Sequence, residues 1–502
     1  MVRLDLSSCE MYNVVQKSRA LSQSTAVSGL LLLFLFVQPR AFAATAQHNT
    51  QHPDHDRQAN GTSHQFLSAL KAYRAQDYPT AQRQLESLVK STPNNFEVNE
   101  LLGLVYVGEG KPQEANQFLT KAVKLRPSVA AARTALATNQ LALHQEDQSE
   151  IEFKKVVQLE PRSYDANHNL GEFYIQMGKI ADAILFLTRA QEIDPAAYNN
   201  GYDLALALEQ TGQLEKARQQ LQKLISERDS AELHGLLGEV EEKLRNYVSS
   251  AAQYEQAVHM EPSEENILNW GAELLLHQTF VAAIEVFKAG TERFPQSAQL
   301  HNGLGIAFYG AGQMDDAAHA FFRASDLMPS DPLPVSFLGK ACDGTSPDLA
   351  TQIRSRLQAF IDGGAQSAEL NYYLAVCLWK GNQVDSSPEL TSQIQALLKR
   401  AITLDPNYAD AYFQLGNLYA EQHRYEDAIG QYERALGINA SSANIHYRLG
   451  QALARAGNGA RAQEEFAVFE RLRKSESDAT DRAQSQIQQF VYAIRKPDTN
   501  QQ

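Results

Sequence analysis

The chain has 502 residues, of which 43% are hydrophobic and 21% charged, a composition typical of folded protein rather than of a disordered chain. Lys and Arg number 45 against 59 Asp and Glu, for a formal net charge of −14. A duplex-binding protein needs a basic surface, so this balance argues against nucleic acid as a partner. Three cysteines exclude a disulfide framework and a cysteine-rich zinc site.

The first 43 residues have the layout of a secretory signal peptide. Basic residues precede an apolar segment over 26–37, and Ala41-Phe42-Ala43 then supplies an A-x-A cleavage sequence. The apolar segment rises only about 18 Å as a helix, which is shorter than the ~30 Å hydrocarbon layer of a membrane. We therefore expect cleavage after Ala43 and a secreted or periplasmic protein without a stable membrane span. A signal anchor retained in the inner membrane is the alternative.

A polar segment over 44–61 follows the cleavage site. It is rich in histidine and aspartate, at His48, His52, Asp54, His55 and Asp56. These residue types could bind a transition metal weakly, but the near absence of apolar residues favours a disordered spacer. We predict no metal site here and no cofactor anywhere in the chain.

From residue 62 onward, prolines recur with a fixed period. Four are each 34 residues apart, and a second series has steps of 33 and 34 residues: Pro93, Pro127, Pro161 and Pro195, then Pro262, Pro295 and Pro329. A period of this length indicates a linear array of one supersecondary unit. Apolar residues recur three, four and seven positions apart in both halves of each period, which predicts two helices in each unit.

Two sets of glycines divide each unit. The first set lies inside the first helix: Gly103, Gly171, Gly238, Gly271, Gly305, Gly416 and Gly450. Glycine costs about 1 kcal/mol there relative to alanine, so we predict a close approach of the two helices. The small residues expected opposite are Ala115, Ala183, Ala317 and Ala428. The second set is predicted to end the first helix in a left-handed conformation: Gly110, Gly178, Gly212, Gly312 and Gly457.

These positions together read L-G-x-x-Y, then A-x-x-x-F/L-x-x-A, then P. The pattern resembles the tetratricopeptide repeat (TPR) family. Four units match nearly every position, at 96–129, 164–197, 298–331 and 409–442. The resemblance implies an all-α fold, a right-handed superhelical solenoid of about twelve helix-turn-helix units.

The array is predicted to have three parts and a cap. They are an N-terminal array of about eight units over 62–331, irregular units over 332–408, C-terminal units over 409–470, and a capping helix and tail over 471–502. The irregular part carries about seven extra residues, which we place in the loop from Lys380 to Pro388. We interpret this part as eroded repeats, with a hinge as the alternative. Cys342 and Cys377 are expected to be free, buried cysteines, and a disulfide between them is the alternative.

The sequence contains no H-E-x-x-H, G-x-S-x-G, P-loop or C-x-x-C motif. The repeats occupy nearly all of the chain that would remain after cleavage, and the other segments are too short for an enzyme domain. We therefore expect a protein that is not an enzyme.

In TPR proteins the first helices line a concave groove that usually holds the partner. The resemblance implies that the fifth and sixth positions of each unit face this groove. The residues predicted to contact a partner are His168, Asn169, Tyr202, Asn269, Asn302, Tyr372, Phe413 and Tyr447. The aromatic members could hold an extended peptide or stack on sugar rings, or they could only pack between neighbouring repeats.

The resemblance further implies a scaffold or adaptor that binds a protein or peptide, in cell-envelope assembly, secretion or polysaccharide export. A glycan-binding module and a regulatory subunit of an envelope enzyme are the alternatives.

Overall fold

The computed structural model describes residues 53–381 and 387–475. These residues form α-helices joined by short loops, and no strand occurs among them. In chain order the helices are α1 (Pro53–Arg74), α2 (Tyr78–Ser91), α3 (Phe96–Gly108), α4 (Pro112–Leu125), α5 (Ala130–Ala142), α6 (Glu146–Leu159), α7 (Tyr164–Gln176), α8 (Ile180–Ile193), α9 (Tyr198–Gln210), α10 (Leu214–Glu227), α11 (Ala231–Lys243), α12 (Tyr247–Met260), α13 (Glu264–Leu276), α14 (Phe280–Arg293), α15 (Ala298–Gly310), α16 (Met314–Leu327), α17 (Pro332–Ala341), α18 (Pro347–Asp362), α19 (Ala368–Gly381), α20 (Pro388–Leu404), α21 (Ala409–Glu421), α22 (Tyr425–Ile438), α23 (Ala443–Arg455) and α24 (459–475). Odd-numbered helices are the first helices of the repeats and even-numbered helices are the second, which confirms the predicted all-α repeat fold.

The chain forms two compact units, one ending at Leu244 and the other beginning at Arg245. Within the first unit, each helix from α1 to α11 packs against the next one in sequence. Within the second unit, the same holds from α12 to α23. In both units, several first helices also contact the first helix of the next repeat directly. These contacts bury the apolar face of each helix against its neighbours, as expected for an array of this kind.

The predicted close approach between the two helices of a repeat is present, but the residue opposite the glycine is not the predicted alanine. A Cβ atom on Gly171 would lie 2.6 Å from Leu187 Cδ2, and one on Gly305 would lie 2.4 Å from Phe321 Cε1. In the four repeats with a predicted alanine, the opposing side chain lies one helical turn beyond that alanine. The pairs are Ala115 and Leu119, Ala183 and Leu187, Ala317 and Phe321, and Ala428 and Tyr432. The larger side chain fills the space that the missing Cβ leaves.

The second set of glycines ends the first helices as predicted. Gly110, Gly178, Gly212, Gly312 and Gly457 have φ angles between 68° and 83°. Repeats without a glycine there use another residue in the same left-handed conformation, including His144 (φ 55°), Gln278 (φ 54°) and His423 (φ 61°). The left-handed turn after the first helix is therefore conserved in geometry even in repeats where a Cβ atom makes that conformation unfavourable.

The ends of the array differ from the sequence-based expectations or lie beyond the described residues. Helix α1 begins at Pro53, within the segment 44–61 that we expected to be a disordered spacer. Extending a helix that is already packed is easier than nucleating one, and proline is well accepted at a first helical position. The predicted signal peptide (1–43) and most of the predicted cap and tail (471–502) lie outside the described residues. Among the described helices, none is both long and apolar enough to cross a membrane.

The expectation of free cysteines in the irregular part is wrong. Cys342 and Cys377 form a disulfide with a Cα–Cα distance of 5.8 Å, which is within the usual range for such a bond. A 3₁₀ turn over Cys342–Gly344 follows the short helix α17, and first helices α17 and α19 contact each other directly. This packing brings the two sulfurs together. Both cysteines are buried, as predicted.

Candidate functional site

The residues predicted to contact a partner lie on the first helices, on what we call the first-helix face, meaning positions two, five, six and nine of each repeat. Six of the eight are half-buried: His168, Asn169, Tyr202, Asn269, Tyr372 and Phe413. Asn302 is buried, and Tyr447 is 38% exposed. The set therefore ranges from core to surface, and Tyr447 offers the largest exposed fraction.

The aromatic residues of this face in the second compact unit also pack against other rings. Tyr372 meets Tyr408, the residue just before α21, edge-on, with ring centroids 5.2 Å apart. Phe413 lies 5.9 Å from Tyr432 on the second helix of its own repeat. Burial raises the pKa of Tyr372 above its usual range. Part of each ring thus stabilises the array, whatever else it contacts.

The first compact unit holds a close group of ionisable side chains on this face. His168 and Glu172 lie one turn apart on α7, and Asp203 lies on the neighbouring first helix α9. His168 Nε2 is 3.4 Å from Glu172 Oε1, and one nitrogen or oxygen atom from each of the three side chains lies within 4.8 Å of the others. The ring of Tyr164 stacks on the imidazole, with centroids 5.2 Å apart.

A chain of hydrogen bonds fixes the orientation of His168. The amide of Gln191 donates to the backbone oxygen of Pro195 (2.8 Å), so its own oxygen accepts from the amide of Asn200 (2.8 Å). The same Asn200 amide donates to the backbone oxygen of Leu187 (2.9 Å). The remaining Asn200 oxygen therefore faces His168 Nδ1 at 3.1 Å and accepts from it. Because backbone carbonyls only accept, the order of donors and acceptors is set along the whole chain.

The surroundings of this group are acidic. Burial, and then the negative charge of Glu172, raise the pKa of Asp203 to about 6. Burial lowers the pKa of His168, but the neighbouring carboxylates, led by Glu172, outweigh it and the pKa is raised overall. Burial and nearby carboxylates, Asp194 first, raise the pKa of Tyr164 to about 12. The contributions of the neighbouring carboxylates to the pKa values of Asp203, His168 and Tyr164 all act in the direction that favours a positive charge at this surface.

Family models of the tetratricopeptide repeat match residues 66–130, 175–240, 268–332 and 397–430, and a model of the TPR repeat matches 416–457. Together these matches span about half of the chain. The chain belongs to the tetratricopeptide repeat family. No curated protein matches it.

Several solved structures are similar to this TPR protein. A structure of Naa15/Naa10 bound to HypK-THB is 16% identical, covers 81% of this chain and 68% of its own, and has a TM-score of 0.40. The APC/C hetero-tetramer Cut9-Hcn1 is 16% identical, covers 84% and 96%, and has a TM-score of 0.37. A TPR protein from Parabacteroides merdae is 16% identical, covers 49% and 98%, and has a TM-score of 0.36.

The TPR pattern located His168 but missed its two acidic neighbours. Glu172 is four residues after His168 and Asp203 is in the following repeat, so only the stacking of α7 on α9 brings the three together. The signal that could have revealed them is a histidine and a glutamate one turn apart, at positions five and nine, followed by an aspartate at position six of the next repeat.

Glu100 is a further carboxylate at a fifth position of this TPR array. It lies on α3 and is only 6% exposed. Burial and the neighbouring charge of Glu97 raise its pKa to about 7, although Arg126 acts in the opposite direction. Position five is therefore a core position in this repeat and a partly open one in the repeat of His168.

Proposed function

We propose that this protein is an exported, non-catalytic scaffold that binds an extended segment of a partner protein along its first-helix face. TPR arrays are protein-interaction scaffolds, and the family assignment supports that part of the proposal. The observation that carries the rest is that polar and aromatic side chains on the first helices stay partly accessible within each compact unit, His168 and Tyr202 in the first unit and Tyr372 and Tyr447 in the second. Side chains spread over several first helices suit an extended polypeptide better than a compact ligand.

Two observations support export. The sequence begins with the layout of a secretory signal peptide ending at Ala43. The disulfide between Cys342 and Cys377 also favours an oxidising compartment, because cytosolic thiols are normally kept reduced. A role in cell-envelope assembly, secretion or polysaccharide export fits such a location.

The partner is tested by capture from envelope extract with the full chain carrying a C-terminal tag. One variant changes the first-helix face (Tyr202→Ala and Tyr447→Ala). The matched control changes exposed apolar residues of second helices, Ile151→Ala and Leu185→Ala, each 51% exposed. Circular dichroism and the melting temperature establish that both variants fold.

A protein recovered by the native chain and the control, but lost with the first-helix variant, is the expected result. Equal recovery by all three would refute the assignment of the binding face. Recovery of glycan without protein would favour the glycan-binding alternative instead.

Export is tested separately by fractionation and mass spectrometry of the chain made in its own host. The expected product starts at Ala44 and is released with the soluble envelope fraction. An intact N-terminus that stays with the membrane would establish the signal-anchored alternative.

A further inference from the structure

His168, Glu172 and Asp203 combine the donor types and the spacing of a metal site. A tetrahedral ion with ligands at about 2.1 Å holds adjacent ligand atoms roughly 3.4 Å apart. His168 Nε2 and Glu172 Oε1 are 3.4 Å apart. One nitrogen or oxygen atom from each of His168, Glu172 and Asp203 lies within 4.8 Å of the other two. Small rotations of two carboxylates would bring all three atoms onto one ion.

The histidine is oriented as metal-binding histidines are. Its Nδ1 faces the side-chain oxygen of Asn200 at 3.1 Å, and Asn200 is itself fully buried and held by Leu187 and Gln191. A histidine that donates its other ring nitrogen to a fixed acceptor presents a defined lone pair on Nε2. Here Nε2 points to the side where Glu172 lies.

Among the described residues, Asp203 lacks the usual structural partners of a half-buried carboxylate. Within the described parts of the chain it makes no hydrogen bond and no ion pair, although it is half-buried beside a second carboxylate. A helix cap or a salt bridge would explain such a residue, but neither is present for Asp203 in these ranges. A cation between Asp203 and Glu172 would relieve their repulsion.

We infer that His168, Glu172 and Asp203 bind a divalent first-row transition-metal ion on the first-helix face. One imidazole and two carboxylates suit Zn²⁺, Fe²⁺ or Mn²⁺, whereas the imidazole disfavours Mg²⁺ and Ca²⁺. Solvent or a side chain of another molecule would complete the coordination, because three ligands leave one position of a tetrahedral ion unfilled. This inference goes beyond the proposed scaffold function and does not depend on it.

The test uses the full chain, freed of metal with a chelator and titrated with Co²⁺ in visible absorption and with Zn²⁺ by competition. Asp203→Asn and His168→Gln remove one ligand each with little change in size. The matched control is Glu232→Gln, which removes one nearby negative charge from a residue outside the three. The histidines of the 44–61 segment are shared by all variants, so their background binding cancels.

The native chain is expected to give the absorption of a nitrogen- and oxygen-ligated Co²⁺ and to melt at a higher temperature with Zn²⁺. Asp203→Asn and His168→Gln should weaken Zn²⁺ binding at least ~10-fold, while Glu232→Gln should change it by no more than about 5-fold. A native chain without these responses overturns the inference. Equal weakening of Zn²⁺ binding by Glu232→Gln and Asp203→Asn would also overturn it, because the ion would then be attracted non-specifically to an acidic surface.

Discussion

The same substitution should have opposite effects at two glycines of one repeat. Gly416 lies inside α21, where an added Cβ would be 2.6 Å from Tyr432 Cε1 and 2.7 Å from Cδ1. Tyr432 is only 1% exposed, and its hydroxyl donates to Asn417 Oδ1 at 2.8 Å, so the ring has no free space to move. Gly430 lies inside α22, and an added Cβ there would have no atom within 4 Å.

The magnitudes follow from two opposing effects. Alanine is favoured over glycine inside a helix by about 1 kcal/mol, and this gain applies at both sites. Overpacking of a core costs about 1–3 kcal/mol, and this applies only at Gly416. Gly430→Ala should therefore raise the free energy of unfolding by up to about 1 kcal/mol, whereas Gly416→Ala should lower it by up to about 2 kcal/mol.

The assay is denaturant unfolding followed by circular dichroism, with hydrogen exchange of the α21 and α22 amides as a local measure. The local measure matters because repeat arrays need not unfold in one step. If Gly416→Ala were as stable as Gly430→Ala, the close contact with Tyr432 would not constrain the fold, and our account of the repeated glycines would be refuted.

Three further changes have expected outcomes of known sign. Glu100→Gln should stabilise the protein at pH 8 and have little effect at pH 4, because the carboxyl pKa rises from 4.5 to about 7 on folding. Ionising Glu100 in the folded state then lowers the free energy of unfolding of the native chain by roughly 3 kcal/mol between those pH values. Denaturant midpoints of the native chain and the variant across that range measure this loss. His144→Gly and Gln278→Gly should each raise the free energy of unfolding by up to about 1 kcal/mol, because both residues adopt a left-handed conformation that glycine adopts without strain. The melting temperature should rise accordingly, and a lower one would contradict this. Replacing both Cys342 and Cys377 with serine should lower the free energy of unfolding by about 3–4 kcal/mol, because the disulfide joins residues 35 apart. Denaturant unfolding of this variant is compared with that of the oxidised native chain. Unchanged stability would show that the cross-link does not restrain the unfolded chain.

The sequence predicted the helices well because helical spacing is a local property. The period between Pro93 and Pro195 predicted the repeat length, and five glycines predicted where five of the first helices end. What it missed depends on how helices rotate and stack against each other. The side chain opposite Gly171 is Leu187 rather than Ala183, a difference of one helical turn.

For the candidate site too, the sequence predicted local features and missed those that depend on how the helices stack. Position five of the repeat located His168, but the same position gave the buried Glu100 in another repeat. The proximity of Asp203 to His168 and the disulfide both join neighbouring repeats. They can therefore be seen only when the first helices lie side by side in the structure. Whether Tyr202 and the other aromatic residues bind a partner stays a prediction, since rings that pack against the core or against other rings fit either role.

The disulfide also has a mechanical consequence. Each repeat is held mainly by its neighbours, so a chain under tension can release its repeats one after another. A covalent link between residues 35 apart withholds roughly 120 Å of chain from such extension, because an extended residue spans about 3.3–3.6 Å. Stretching a single molecule should therefore give a contour length shorter by this amount when oxidised than when reduced. The irregular repeats, which are the least typical in sequence, would then be the least extensible part of the array.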